Sequence, residues 1–208
     1  MLQGDKMNNN ELIKKYFDTS AETNDKLLQN EMKNISDAID TLFEAWKKGK
    51  QVFIFGNGGS ASNASHFMCD LLKYTNVDGK PRFRGMCLND NHGLISAHIN
   101  DNGWENLYVE QLKNHLNEGD VVIALSVHGG AGRDRAGAWS QNLLKAIDYA
   151  NKNGAKTIGF SGFDGGSFKE LADVCVTVPV DSTPHVESFH TVLHHLVCDT
   201  LREKIKNE

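Results

Sequence analysis

The residues best suited to chemistry lie in two short stretches, one after a run of glycines and one near the carboxyl end. In the first, His66 and Asp70 are four residues apart, which places them on one face of a helix. In the second, four residues with nitrogen or oxygen ligands lie within nine positions: Glu187, His190, His194 and His195. Three imidazoles and a carboxylate near a His/Asp pair would suit zinc or another transition metal. Each histidine alone could instead be a hydrogen-bonded, partly buried residue.

The glycine-rich segment before His66 could bind an anion. It follows the apolar run VFIF and reads GNGGS over residues 56–60. Glycines let backbone N–H groups approach a ligand, and Ser60 begins a helix whose dipole favours negative charge, so a phosphate or sugar oxygen fits. The spacing differs from the GxGxxG dinucleotide fingerprint, and no GK[ST] follows for a nucleotide P-loop. A strand-to-helix turn that needs only glycine geometry and a serine cap would give the same sequence pattern. Ser126, at the end of the run DVVIALS, is a second candidate of this kind, and the same structural alternative applies to it.

The second stretch lies on a predicted helix with two different faces. On a helical wheel Glu187, His194 and His195 occupy one half. The other half carries the apolar set Val186, Phe189, Leu193, Leu196 and Val197. The polar half is therefore expected to carry the chemistry.

The elements that position these residues alternate along the chain. Apolar residues at helical spacing predict one long helix, or a short one followed by a long one, over residues 10–48. Beyond it, five apolar runs read as strands: VFIF, FRGMCL, DVVIALS, TIGFSG and VCVTV. Helical patterns follow them near residues 60–74, 92–116, 139–152, 168–172 and 185–206, and the pattern over 92–116 could hold one helix or two. This alternation implies βαβ units and a parallel sheet covered on both faces.

The expected architecture is a single three-layer α/β domain over residues 50–208, preceded by an N-terminal helical extension over residues 1–49. Ligands of open α/β sheets bind beyond the carboxyl ends of the strands. Three of the predicted strands end there in small, glycine-bearing loops: FGNGGS, LSVHGGAGRDRAG and FSGFDGG. We expect these loops to converge on one site.

Composition narrows the class of protein further. The 208 residues carry a net charge of −5 and no stripe of Lys and Arg, which disfavours a nucleic-acid partner. The four cysteines show no paired spacing, which is typical of reduced thiols in the cytosol. No run of eighteen apolar residues and no apolar leader is present. A cytoplasmic protein without a membrane partner is expected.

Taken together, the motifs resemble the sugar isomerase (SIS) domain family, and within it the phosphoheptose isomerases. The resemblance rests on GNGGSASNASHF, NDN at 89–91, INDNG at 99–103, EGDVVIALS, GFSGFDGG and the E-x₂-H-x₃-HH helix, and it covers nearly the whole chain. It implies a five-stranded parallel sheet, a homotetramer with active sites at subunit interfaces, and a bound phosphosugar. The implied reaction interconverts sedoheptulose 7-phosphate and D-glycero-D-manno-heptose 7-phosphate, the entry to heptose for lipopolysaccharide or capsule.

The resemblance also implies one Zn²⁺ per subunit. Matched residue by residue, its ligands are His66, Asp70, Glu187 and His195, with Asp70 as the base and His195 as its acid/base partner. Two positions depart from the family, because Asp70 stands for a glutamate and Glu187 for a glutamine. His194 beside His195 leaves the ligand assignment open by one residue.

Substrate contacts are expected in the glycine loops. The resemblance assigns Asn57 and Ser60 to the first loop and the start of the phosphate loop to Ser126. That second loop departs from the family: hydroxyls are lost, while a histidine and two arginines are gained. Arginine binds phosphate through two parallel hydrogen bonds, so either arginine could replace those hydroxyls; a solvated loop paired through Asp134 is the alternative. The predicted substrate-binding residues are Asn57, Gly58, Gly59, Ser60, Asn100, Asp101, Ser126, His128, Arg133, Arg135 and Ser140.

Two other functions stay open. Some SIS proteins are non-enzymatic binding modules, which associate with a replication initiator or sense phosphosugars. A metal-ligand constellation argues against such an adaptor. An isomerase of a different sugar phosphate is equally compatible with the sequence, since open-chain sugar phosphates present the same carbonyl and hydroxyl groups.

Overall fold

The computed structural model describes residues 8–130 and 140–208, in which helices and strands alternate after two initial helices. The helices are α1 (Asn9–Asn30), α2 (Met32–Lys47), α3 (Gly59–Lys73), α4 (His92–Asn102), α5 (Leu107–His115), α6 (Gln141–Lys152), α7 (Phe168–Leu171) and α8 (Thr183–Asn207). A 3₁₀ turn at Trp104–Asn106 precedes α5. The strands are β1 (Gln51–Gly56), β2 (Arg84–Cys87), β3 (Val121–Leu125), β4 (Lys156–Gly162) and β5 (Val174–Val178).

The five strands form one parallel sheet in the order β2-β1-β3-β4-β5. Alternate side chains of β1 enter different layers, because successive residues of a strand point to opposite faces. Val52 and Ile54 join the core formed with α2, α3 and α8, whereas Phe53 and Phe55 join the core formed with α5 and α6. The predicted three-layer α/β fold with N-terminal helices is therefore confirmed.

The strand order makes the two central loops neighbours. The chain runs from β1 outward to β2, then crosses back to β3 on the other side of β1. The crevice at such a reversal is the usual ligand position in this class of sheet. The loops that follow β1 and β3, at residues 57–58 and 126–130, flank this crevice.

Two patterns that could hold one helix or two each hold two, and the apolar face expected for the last helix differs in the structure. The helical pattern over residues 10–48 divides at Glu31 into α1 and α2. The pattern over residues 92–116 divides at Gly103, whose φ of 83° suits glycine in the left-handed region. Leu196, expected on the apolar face of α8, is 46% exposed, while His194 on the expected polar half is 1% exposed. α8 packs on both the sheet and α3, so its buried arc includes a position that the wheel assigned to the polar half.

Glu31 anchors the N-terminal helices to the edge of the sheet. Its buried carboxylate accepts a hydrogen bond from the backbone N–H of Thr177 in the edge strand β5, at 3.2 Å. The Asn34 side chain donates to the same oxygen at 2.8 Å. The bend between α1 and α2 thus provides an acceptor for a strand N–H that has no neighbouring strand to bond.

Within residues 8–130 and 140–208, no helix has the length and apolar character needed to cross a membrane.

Replacing Glu31 with alanine should lower the free energy of unfolding by about 1–3 kcal/mol, because the buried N–H of Thr177 loses its acceptor. Glu31→Gln should cost less, since its amide oxygen can still accept. Urea denaturation followed by circular dichroism measures both. Glu22→Ala, an exposed change on α1, is the control, and equal losses in Glu22→Ala and Glu31→Ala would contradict the anchoring role.

Candidate metal and substrate site

The turn after β1 brings the backbone close to the start of α3. Gly58 caps α3 with a φ of 57°, a conformation that favours glycine. A Cβ on Gly56 would lie 2.7 Å from the backbone of Ser60, so this position has no room for a side chain. Ser60 is buried, and its N–H donates to the carbonyl of Asn57 at 3.1 Å. The predicted glycine turn therefore forms at the expected place, at the carboxyl edge of the sheet.

A network of buried polar side chains forms hydrogen bonds to this turn. Asn57 and Asn142 exchange two amide hydrogen bonds, at 3.0 and 2.9 Å, and Asn142 is fully buried. The Tyr108 hydroxyl donates to both the Gly56 carbonyl and the Asn57 amide oxygen. The Asn89 side-chain amide accepts from the Gly56 N–H and donates to the Gly56 carbonyl. The Asn57 side chain, expected to contact substrate, is therefore engaged by the protein itself and positions the turn.

Sequence reasoning missed Tyr108 and Asn142. Neither residue belongs to a motif with a characteristic spacing. Asn142 lies 85 residues from its partner Asn57, a separation that no local pattern can indicate.

Three imidazoles surround one carboxylate oxygen where α3 packs on α8. Asp70 Oδ2 lies 3.0 Å from His195 Nδ1, 3.3 Å from His194 Nε2 and 3.6 Å from His66 Nε2. One ligand atom from each of the four residues lies within 4.8 Å of the others. The structure thus brings together three of the four expected metal ligands, His66, Asp70 and His195, and adds His194.

The most buried atoms of this group lack hydrogen bonds to the described part of the chain. His194 stacks on Phe67, with ring centroids 5.4 Å apart, and neither of its ring nitrogens has a hydrogen-bond partner among residues 8–130 and 140–208. Asp70 Oδ2 also has none. Burial, followed by the positive charge on His195 and His66, lowers the pKa of His194 to about 3. A neutral imidazole and an ionised carboxylate are the forms that bind a metal, so the donor set fits a dication such as Zn²⁺.

Glu187, the remaining expected ligand, lies elsewhere within the chain. Its carboxylate packs against Gly59 at the start of α3, where a Cβ on the glycine would collide with it. Glu187 and His195 are eight residues apart on one helix, which separates them by about 12 Å along its axis. Glu187 is not among the four residues whose ligand atoms lie within 4.8 Å of one another. The structure of one chain therefore does not place these two residues on the same ion.

A cavity of about 440 Å³ opens against the histidine group. It is lined by Asp70, Tyr74, His195, Leu196 and Asp199. The Tyr74 hydroxyl donates to Asp199 at 2.7 Å across it. Sequence reasoning missed this pair, although a signal existed: Tyr74 follows Asp70, and Asp199 follows His195, by four residues on the same helix face.

The loop after β3 is held by its own backbone and by the loop after β4. Ser126 Oγ accepts from the Gly130 N–H at 3.1 Å, so the expected phosphate ligand also closes the loop. The His128 ring lies 4.3 Å from the ring of Phe163, a residue with a φ of 54°. That conformation is costly for an aromatic residue, and such strain is common at ligand sites. Phe163 was not singled out from the sequence.

The other expected substrate residues are less closely associated with the group. Asn100 and Asp101 are exposed on α4 and bonded to each other at 2.6 Å, and neither joins the histidine group. Ser140 is half-buried and precedes α6 without a side-chain cap bond to it. Arg133 and Arg135 lie outside the described residues.

Comparison with known proteins places these features in a family context. The SIS domain family model matches residues 15–162. The chain is 43% identical over 161 residues to the lincomycin biosynthesis protein LmbN of Streptomyces lincolnensis. That match covers 76% of this chain and only 58% of the length of LmbN. It is 34% identical to a phosphoheptose isomerase of Geotalea daltonii, over 84% of this chain and 85% of that protein.

A solved structure of a phosphoheptose isomerase from Francisella tularensis is similar throughout. The TM-score is 0.84 at 24% identity, and the match covers 95% of this chain and all of that one, 100%. At this identity the likeness shows the shared fold.

Changing Asn142 to aspartate should lower the free energy of unfolding by about 1–3 kcal/mol. The new carboxylate can still accept a hydrogen bond from the Asn57 side-chain amide. It cannot donate one to the Asn57 amide oxygen, and its negative charge would be buried. Chemical denaturation at pH 7 measures the loss. Gln141→Glu adds the same charge one residue away on α6 and should cost less; similar losses in both variants would refute the network's role.

A second prediction concerns pH. His190 is fully buried, donates from Nε2 to the Ser161 carbonyl, and has its pKa lowered to about 4 by burial. Its unfolded pKa is near 6.5, so below that pH the unfolded chain binds more protons, and stability falls as the pH drops towards 4. Because of this histidine, the free energy of unfolding of the metal-free protein should fall by about 2 kcal/mol between pH 7 and pH 5.

Urea titrations of the metal-free protein at the two pH values test this effect. His190→Gln should show a smaller pH dependence than the unmodified protein, and the exposed His92→Gln should show the same dependence. A His190→Gln variant with an undiminished pH dependence would rule the assignment out.

Proposed function

Because the chain belongs to the SIS domain family and is an isomerase related to the phosphoheptose isomerases, we propose that it is a metal-dependent aldose–ketose isomerase of a phosphosugar. The proposed reaction interconverts sedoheptulose 7-phosphate and D-glycero-D-manno-heptose 7-phosphate, supplying heptose for lipopolysaccharide or capsule. The observation that carries the proposal is the group of His66, Asp70, His194 and His195, with ligand atoms within 4.8 Å of one another beside a cavity. A non-enzymatic binding module has no use for such a group.

The proposed cofactor is one Zn²⁺ per subunit, held by His66, Asp70 and His195 among its ligands. When bound, the ion would polarise the carbonyl and hydroxyl oxygens of the sugar. The fit rests on the donor set, which consists of imidazole nitrogens and a carboxylate oxygen that has no hydrogen-bond partner among the described residues.

Asp70 and His195 are the proposed proton-transfer residues. Both line the same cavity and lie 3.0 Å apart, so both can reach one sugar. In the ketose-to-aldose direction, one of them takes a proton from C1 while O2 gains a proton, which forms the enediol. A proton is then delivered to C2 while O1 loses its proton, which forms the aldehyde. Asp70 is the proposed carbon base, and His195, 54% exposed on its side chain, is its acid/base partner.

The proposed substrate also reaches the crevice between the loops after β1 and β3. The glycine turn over residues 57–60 would present backbone N–H groups and the α3 dipole to sugar oxygens. Ser126 and His128 would bind the phosphate from the second loop, with Ser140 at the start of α6. Arg133 and Arg135, outside the described residues, are proposed as further phosphate ligands.

A homotetramer with active sites at subunit interfaces is proposed as the assembly, in the cytoplasm. Exposed apolar side chains support association, since patches of this kind commonly mark protein–protein contacts. On α1 they include Ile13, 55% exposed, and Phe17, 69% exposed; on α8 they include Val192, 52% exposed. In this proposal the extension over residues 1–49, of which residues 1–7 lie outside the described part of the chain, packs on its own domain and on neighbouring subunits.

An isomerase of a different sugar phosphate is the second candidate. Two observations favour it: the relative at 43% identity is named as a lincomycin biosynthesis protein, and the loop after β3 keeps Ser126 but lacks two other hydroxyl residues expected from the resemblance. The same proton transfers would apply to either substrate.

The first test combines metal analysis with turnover. Mass spectrometry of the purified protein should find about one zinc per chain, and NMR should show consumption of sedoheptulose 7-phosphate that stops after chelation. Asp70→Asn should lower kcat by a factor on the order of 10²–10⁴, the usual contribution of a positioned base. Asp78→Asn, an exposed change in the loop after α3, is the control and should leave kcat unchanged.

The outcomes separate the candidates. Metal without turnover of sedoheptulose 7-phosphate would favour the different sugar phosphate, to be sought among other ketose and aldose phosphates. Absence of both metal and turnover would reject the isomerase proposal and favour a binding module.

A further inference from the structure

His194 differs from the other fully buried histidine of α8. Both His190 and His194 are 1% exposed. His190 uses Nε2 to donate to the Ser161 carbonyl at 3.1 Å, whereas neither nitrogen of His194 has a hydrogen-bond partner among the described residues. A neutral imidazole carries one N–H donor and one lone-pair acceptor, and leaving both nitrogens unsatisfied in the interior is costly. His194 therefore lacks a partner that the fold would normally supply.

The distances around Asp70 show what kind of partner fits. Its Oδ2 is likewise buried without a hydrogen bond. The 3.0, 3.3 and 3.6 Å separations from the histidine nitrogens resemble the edges of a tetrahedron of ligands about one ion, which are roughly 3.3–3.5 Å for bonds near 2.0–2.1 Å. The aromatic stacking of Phe67 on His194 holds this ring in place.

Glu187 is held in a different part of the α3–α8 contact. Its carbonyl accepts from the Asn63 side chain at 2.9 Å, and its carboxylate packs on Gly59. Asn63 and Gly59 precede His66 by three and seven residues on α3. The Glu187 carboxylate is thus positioned beside the glycine turn and not beside Asp70.

We propose that His194, and not Glu187, is the fourth protein ligand of the metal, so that His66, Asp70, His194 and His195 hold the ion within one subunit. This inference rests on the metal dependence proposed above and assigns the ligand set specific to this chain. It leaves Glu187 free to face the substrate crevice.

The exchange of ligands changes the charge of the site. Three neutral imidazoles and one carboxylate leave a dication with a net charge of about +1, whereas two carboxylates would neutralise it. The remaining positive charge strengthens the attraction of the site for developing negative charge on a sugar oxygen.

Metal affinity of matched variants tests the assignment without any turnover assay. Competition with a chromophoric chelator gives the Zn²⁺ affinity of each protein. His194→Gln should weaken it by more than about 100-fold, beyond the 10–100-fold typical of losing an outer partner, and Glu187→Gln should change it by less than about 10-fold. His190→Gln, a buried imidazole one turn away, is the control for folding and should retain the metal. A larger loss of Zn²⁺ affinity in Glu187→Gln than in His194→Gln would overturn the proposal.

A measurement on the unmodified protein covers the case in which His194→Gln does not fold. X-ray absorption of the zinc-loaded protein should count three imidazoles and one oxygen donor from protein. Two imidazoles with two carboxylates would contradict the proposal, as would a protein that binds no zinc after loading. Three-imidazole zinc without turnover of any sugar phosphate would keep the ligand assignment and reject the isomerase function.

Discussion

The position of one buried Asp70 oxygen among three imidazoles is the constraint on which the rest of the site depends. A buried charge without hydrogen bonds is costly unless other groups or a cation compensate it. The oxygen lies within 3.6 Å of three ring nitrogens but makes no hydrogen bond to them. The α3–α8 contact therefore carries, beside its apolar residues, a cluster of polar side chains whose charge a bound cation would compensate.

Sheet topology determines which residues meet across this contact. α3 follows β1 and α8 follows β5, and strands and their following helices run in opposite directions, so both helices start at the carboxyl edge of the sheet and run side by side. Residues at similar distances from the two starts become neighbours. Gly59 meets Glu187 near that edge, whereas Asp70 meets His194 and His195 further along. The glycine turn and the histidine group thus lie at different heights along the same α3–α8 contact.

The crevice depends on a second, uncharged network. Asn57 and Asn142 join the loop after β1 to α6, and the amide pair satisfies itself without water. The loops after β3 and β4 close on each other through backbone contacts that leave no space for side chains: a Cβ on Gly129 would collide with the Gly165 carbonyl. The backbone of Phe163 adopts a conformation that favours glycine, and its ring packs on His128. An aromatic–imidazole pair thus occupies the region where the family places hydroxyl side chains.

The sequence by itself determined the layers, the order of elements and the general position of the site. Apolar runs, helical periodicity and the glycine turn are local properties, so they predicted the parallel sheet and the pairing of His66 with Asp70 on one face. Tertiary structure alone decided that His194 rather than Glu187 lies beside Asp70, and that Asn142 engages Asn57. Those contacts depend on the relative rotation and axial offset of elements distant in sequence. Packing of the whole domain determines both quantities, and the periodicity of a single helix does not encode them.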